Sequence, residues 1–321
     1  MEVLYLSEAD VERLLTMEMA LEAVEAAFRA AASGQAQNHP RQRLASNGAL
    51  LHYMAAADQT CGYFGLKLYT SSRAGVRFLV PLYRGDTGAL VALLEADTLG
   101  RMRTGAASGV ATKYLAREDA TQVGVLGSGH QAPTQLLALA QVRRLSAVRV
   151  FSPNPAHRHA FAERMCSTLS LPVQAVNSAQ EAVWAADMVV VVTSAKRPVL
   201  EGAWLSPGTH VNAVGANFPQ KRELDDTVVA RAARIVVDSR EQAQREAGDL
   251  ITPFQGQPER WLEVRELSEV VTGRFAGRGS AQEITLFKSN GVALEDVATA
   301  ARVYERARAE GVGQKLNMWP G

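Results

Sequence analysis

Residues 121–132, Thr-Gln-Val-Gly-Val-Leu-Gly-Ser-Gly-His-Gln-Ala, hold the pattern with the plainest chemistry in this chain. A short apolar run (Val123, Val125, Leu126) leads into Gly127, Gly129 and Ala132, and Leu136, Leu137 and Leu139 then recur as on a helix. This is the G-x-G-x-x-A form of a dinucleotide fingerprint, placed between a strand and a helix as that function requires. The first glycine makes the tight turn, and the second admits a pyrophosphate close to the backbone. The third small residue lets helix and strand pack. Free N–H groups and the helix dipole then favour the anion. Ser128, His130 and Gln131 line the same turn, so their N–H groups are candidates for phosphate contact.

The next strand, Ala147–Ser152, ends where an NAD enzyme usually places an acid for the ribose 2′-hydroxyl. Ser152, Pro153 and Asn154 stand there instead, and no acid occurs between Asp119 and Glu163. A 2′-phosphate would meet no repulsion, and Arg158 is placed in sequence to pair with it. The expected cofactor is therefore NADP(H), with NAD(H) also accepted. The alternative is that Arg158 and its flanking histidines form a solvated helix face.

These motifs need a scaffold, and 321 residues are enough for two domains with a sizeable core. Lysine plus arginine (34) nearly balance aspartate plus glutamate (33), interspersed along the chain, which excludes a strongly basic nucleic-acid or membrane-surface binder. No apolar run is long enough to span a bilayer. Cys61 and Cys166 are far apart, as suits a reducing cytoplasm, and no His/Cys/acid cluster has metal-ligand spacing.

Helices are predicted from Ser7-Glu-Ala-Asp10, where Asp10 stands three residues after an N-cap serine, and over Met17–Ala32. Strands follow at Arg43–Ala45, Leu50–Ala55, Gly62–Tyr69, Phe78–Tyr83 and Ala89–Glu95, the last two joined by a turn at Gly85–Gly88. A helix over Thr98–Leu115 leads to an alternating half with strands at Val123–Leu126, Val148–Phe151, Met188–Val192, His210–Ala213 and Ile235–Val237. Alternation implies a parallel sheet with right-handed crossovers. Leu294–Glu310 reads as a last helix. Thr193, Ser194, Val214 and Gly215 fall at carboxyl ends of strands, where ligands of such sheets bind.

Six blocks complete one pattern: Arg41-Gln-Arg-Leu44, Gly65-Leu-Lys-Leu68, Arg101-Met-Arg-Thr-Gly-Ala-Ala-Ser108, the Gly127 fingerprint, Val214–Leu224 and Phe287–Asp296. Together they resemble the ornithine cyclodeaminase/mu-crystallin family over nearly the whole chain. The resemblance implies an α/β protein with a Rossmann dinucleotide-binding domain (119–291) and a mixed α+β substrate and dimerisation domain (1–118 plus 292–321), assembled as a homodimer. It implies that Arg43, Lys67 and Arg103 contact a substrate carboxylate, and that Lys288 and Ser289 lie near the nicotinamide. Arg offers a planar fork for a carboxylate, while Lys67, beside two cations and desolvated, can surrender a proton. Read one at a time, the arginines fit surface ion pairs better than ligands. Lys67, alternating with Leu66 and Leu68, fits a solvent-facing strand position. Lys288 fits a solvated lysine.

Two departures bear on the reaction. Asn217 stands where the resemblance places an aspartate in cyclodeaminases, and His52 where it places a glutamate. An amide accepts no proton at neutral pH. Loss of both acids argues against elimination of ammonia from ornithine and for reduction of an α-imino acid by NAD(P)H. Expected substrates are a cyclic ketimine such as Δ1-pyrroline-2-carboxylate or Δ1-piperideine-2-carboxylate, or the linear imine of a 2-oxo acid. Rival readings are an ornithine cyclodeaminase or alanine dehydrogenase, and a non-catalytic ligand-binding protein. His52 is either a proton donor or a packed strand histidine; Asn217 either bonds substrate or cofactor or holds its loop.

Overall fold

The computed structural model describes residues 2–318. Its elements begin β1 (Glu2–Leu6), α1 (Glu8–Leu14), α2 (Met17–Ala32), β2 (Ala36–Ser46), β3 (Ala49–Asp58), β4 (Tyr63–Ser72), β5 (Gly75–Arg84), β6 (Leu90–Glu95) and α3 (Asp97–Leu115). There follow β7 (Gln122–Leu126), α4 (Ala132–Val142), β8 (Ala147–Phe151), α5 (Pro155–Leu169), β9 (Val173–Ala175), α6 (Ala179–Val183), β10 (Met188–Val191), β11 (His210–Ala213), α7 (Asp226–Arg231) and β12 (Ala232–Val237). The chain closes with α8 (Arg240–Glu246), α9 (Gly248–Ile251), β13 (Arg265–Glu266), α10 (Leu267–Val271), β14 (Ile284–Lys288), α11 (Ala293–Glu310) and β15 (Gln314–Asn317). It divides into two units, Met1–Ala106 with Gly291–Gly321, and Ala107–Asn290. The first division thus falls inside α3, twelve residues before the expected one at 118/119. The helix runs through without a break that composition would mark.

In the first unit the sheet order is β15-β1-β6-β5-β4-β3-β2. Ser7 and Asp10 form a reciprocal capping box at α1, and Thr16 caps α2 through the N–H of Met19. Strand alternation is regular: along β3, His52, Met54, Ala56 and Asp58 are buried while Tyr53, Ala55 and Ala57 are partly exposed. The buried face packs against α11. The opposite face is also apolar, with Leu44, Leu51 and Phe64 exposed and Leu66 and Leu68 half-buried. The strands exceed their predicted lengths because polar residues near their ends still pair in the antiparallel ladder.

The second unit is an eight-stranded parallel sheet, β13-β12-β14-β11-β10-β7-β8-β9. Leu136 and Leu139 of α4 and Phe161 and Met165 of α5 cover one face. Leu224, Val228 and Leu250 cover the other. Burial on both sides explains the unbroken apolar run Met188-Val-Val-Val191. Sequence reading missed β14, which lies between β11 and β12. Ile284–Lys288 is buried throughout. Strand order reverses beside β7, so the carboxyl ends of β7 and β10 flank the switch point where such sheets bind ligands.

Candidate functional site

The first unit gathers charge in its interior. Lys67 lies on the inward face of β4, only 3% exposed, so the solvent-facing alternative is overturned. Its flanking leucines take the outward face instead, since both faces of this sheet are apolar. Lys67 Nζ donates to Asp296 Oδ1 at 2.7 Å and lies 5.4 Å from the Phe78 ring centroid. Arg103, on α3, donates to the same oxygen through Nε at 3.0 Å and to Glu295 Oε2 through Nη1 at 2.6 Å. Both acids sit in the first turn of α11, where the helix dipole favours negative charge. The N–H of Leu294 donates to Asn38 Oδ1 on β2, which ties that helix start to the sheet. Arg41 is buried and donates to the carbonyl of Gly291. Burial, the Arg103 charge and Arg41 lower the Lys67 pKa against the pull of Asp296, to about 8.

Arg43 is half-buried and stands opposite His52 in the β2–β3 pairing. His52 is buried and stacked on Tyr69, with centroids 4.1 Å apart and planes 5° from parallel; its Nε2 is 3.1 Å from Ser71 Oγ. Burial, Arg43 and Arg41 push its pKa down to about 4. The imidazole is therefore neutral at physiological pH. Its burial and stacking on Tyr69 favour the packed strand histidine.

In the second unit Gly127 has φ +109°, a conformation that favours glycine, and packs against the carbonyl of Val192. Gly129 and His130 are exposed, and a side chain at 129 would meet nothing within 4 Å. Helix α4 begins without a side-chain cap. An open glycine cradle before an uncapped helix of eleven residues fits a dinucleotide pyrophosphate. Ser128 Oγ lies 2.8 Å from Ser152 Oγ, joining this turn to the end of β8. Asn154 caps α5 by accepting from the N–H of His157.

Arg158 departs from its expected position. It is buried, donates to the carbonyl of Ser152 at 3.2 Å and to Asn177 Oδ1 at 3.0 Å, and lies over the Phe151 ring. Its guanidinium braces the strand end. Lys288 departs from the solvated reading: it is fully buried and donates to the carbonyls of Ala216 (2.6 Å) and Ser289 (2.9 Å). Ser289 is buried, with its hydroxyl on Asp238. Thr193 and Gly215 converge on one carboxylate, Glu223, while Ser194 is exposed and Val214 continues the ladder to Val191. Asn217 is half-buried in the loop after β11.

Sequence reading assigned no role to Arg41, Glu223, Glu295 or Asp296, although all four fall inside the blocks that carried the resemblance. The signal was there, but the pairing of Lys67 with Asp296 spans 229 positions and no local pattern announces it. Among the described residues, no group of three or more His, Cys, Asp or Glu is placed to hold a metal, and no helix is long and apolar enough to cross a membrane.

A Rossmann-type unit with an open cradle, joined to a unit with a buried cation–carboxylate cluster, defines a dinucleotide-dependent enzyme with a centre suited to an acidic substrate. Comparison with known proteins agrees. The ornithine cyclodeaminase/mu-crystallin family matches residues 1–311, and the chain belongs to that family. An alanine dehydrogenase of Archaeoglobus fulgidus is 36% identical over 333 residues, spanning 99% of each chain. A Δ1-pyrroline-2-carboxylate reductase of Bacillus cereus is 38% identical over 239 residues, spanning 74% of this chain and 73% of that one. The solved Δ1-pyrroline-2-carboxylate reductase of Thermococcus litoralis, in complex with NADH and L-proline, superposes with a TM-score of 0.93 at 38% identity, covering 98% of this chain and 100% of that one. The chain is thus a nicotinamide-dinucleotide oxidoreductase of this family.

Proposed function

We propose that this chain reduces α-imino acids to amino acids with NAD(P)H. Its substrate is a cyclic ketimine such as Δ1-pyrroline-2-carboxylate or Δ1-piperideine-2-carboxylate, or the linear imine of a 2-oxo acid. The observation that carries this reading is the Lys67 cluster: buried cations with one proton-labile member, its pKa near 8. Arg43, Arg103 and Lys67 hold the substrate carboxylate. Lys67 also delivers a proton to the imine nitrogen, or orients that nitrogen, as the C=N bond becomes CH–NH. When bound, the nicotinamide supplies the hydride to the imine carbon. A purely cationic cluster would repel the protonated iminium, the better hydride acceptor. Asp296 and Glu295 bring the counter-charge that relieves this. The neutral His52 and the amide of Asn217 provide no strong base for ammonia elimination.

NADP(H) is preferred and NAD(H) accepted. Support for this preference is the end of β8, where Ser152 and Asn154 stand in place of a carboxylate that would repel a 2′-phosphate. Arg158, held beside that strand end by Ser152 and Asn177, is the cation nearest in sequence to pair with the 2′-phosphate. The apolar outward face of the first sheet, with Leu44, Leu51 and Phe64 exposed, supports a homodimer closed over that face. Both cysteines are free thiols, as a cytoplasmic enzyme maintains them.

An alanine dehydrogenase activity is the second reading, favoured by the full-length similarity to the Archaeoglobus protein. Following NADPH and NADH oxidation with a panel of cyclic imines, 2-oxo acids with amines, and pyruvate with ammonia separates the two. Faster turnover of cyclic or alkylated imines supports reduction of preformed C=N bonds. Turnover confined to pyruvate with ammonia, or none at all, overturns it.

A further inference from the structure

Glu223 stands seven to eight residues beyond the Gly215–Ala216 turn that it serves, on the segment leading to α7. It is 0% exposed, yet each of its carboxylate oxygens is occupied. Oε1 accepts from the N–H of Thr193 at 2.6 Å and from its hydroxyl at 2.7 Å. Oε2 accepts from the N–H groups of Gly215 at 2.6 Å and Ala216 at 3.0 Å. Thr193 follows β10 and Gly215 follows β11, so one side chain joins two strand ends on the ligand-binding edge of the sheet. Glu223 is itself fixed: its N–H and that of Leu224 both donate to Asp249 Oδ1. Lys288 reaches the same loop from β14 through the carbonyl of Ala216, with Nζ 3.8 Å from Asp249 Oδ2.

We propose that Glu223 is a positioning residue for the dinucleotide, its carboxylate setting the Thr193 and Gly215–Ala216 loops in the geometry that holds the cofactor. Four donors on one carboxylate require the ionised form, because a protonated oxygen carries a hydrogen where an N–H must point. The groups facing it are Lys288 from β14, Asp249 from α9 and the Thr193 hydroxyl. Burial and the Asp249 charge push its pKa up, Lys288 and the Thr193 donors pull it down, and the balance lies at about 7. Cofactor affinity is therefore titrated at neutral pH from behind the binding surface. Glu223→Gln keeps the shape but turns an amide NH2 toward one pair of donors, releasing one loop.

This inference rests on the proposed NAD(P)H-dependent activity, and direct binding of NADPH and NADH by fluorescence quenching separates the two. Failure of the wild-type protein to bind either dinucleotide overturns the activity itself. With binding established, Glu223→Gln is expected to raise the NADPH Kd about tenfold, as loss of two buried hydrogen bonds would. The KM for imino acid at saturating cofactor should stay unchanged. The wild-type Kd should weaken as pH falls through about 7, and this dependence should be absent in the variant. An unchanged Kd, or a raised Kd that keeps the wild-type pH dependence, overturns the proposal. Should Glu223→Gln fail to fold, Thr193→Val removes the hydroxyl that donates to Glu223 and accepts from the Ala195 N–H, and is expected to raise the Kd a few-fold; an unchanged value there also overturns it.

Discussion

The two polar centres of this protein are built by opposite means. In the first unit the centre is made of side chains: Lys67, Arg103 and Arg41 present positive charge, and Glu295 and Asp296 temper it. In the second unit it rests on backbone N–H groups: an uncapped α4 behind a glycine turn, and strand ends held from below by one carboxylate. A side-chain centre can move a proton, because Lys67 is ionisable and its pKa is displaced toward neutrality. A backbone centre cannot ionise; it can only be positioned. On the proposed reading the reacting group therefore belongs to the first unit and the cofactor scaffold to the second.

The sharpest way to test this division is Lys67→Met. Turnover of imino acid should fall about a hundred- to ten-thousand-fold while the dinucleotide Kd stays within twofold. Wild-type turnover in this variant would remove the chemistry from the first unit. Asp296→Asn has a smaller, directional effect. If protonated Lys67 is the donor, kcat/KM for reduction should decline as pH rises through about 8. Without the Asp296 charge the Lys67 pKa drops further, and the limb should move to lower pH by about a unit. A pH–rate profile that does not move would show that Lys67 is not the titrating donor. The smallest effect concerns His52. Its folded pKa of about 4 lies below the value of about 6.5 in an unfolded chain, so protonation favours unfolding. Stability should be independent of this group above pH 6.5 and decline as pH falls from 6.5 toward 4. His52→Gln should flatten that part of the slope in denaturant unfolding at pH 7 and pH 5.

Local pattern reveals some of this architecture and hides the rest. Helix Met17–Ala32 was readable to the residue, because Thr16, the spacing of Ala20, Val24 and Phe28, and Gly34 all agree. The fingerprint turn was readable because backbone geometry demands glycine. The orientation of Lys67 was not, since Leu66 and Leu68 imply an inward face only when the other face meets water, and here the outward face is apolar too. Strand β14 was missed because Ile-Thr-Leu-Phe-Lys, with buried lysine and threonine, looks half-exposed. Lys288 can be buried because backbone carbonyls receive it. The burial of Arg158 was hidden for a related reason: a cation on a solvated helix face and a cation bracing a strand end share one sequence. Asp296 and Glu223 needed three dimensions, for each meets its partners only once distant segments converge.

The late position of β14 and α11 has a consequence for how the polypeptide is made. Strands β11 and β12 both emerge from the ribosome well before the strand that joins them, and the basic residues of β4 and α3 precede their acidic counterparts by about two hundred positions. Neither half can close until nearly the whole message has been translated. A product cut short before residue 284 would carry two unsatisfied strand edges and buried cations with no counter-charge, a state suited to rapid degradation rather than partial activity.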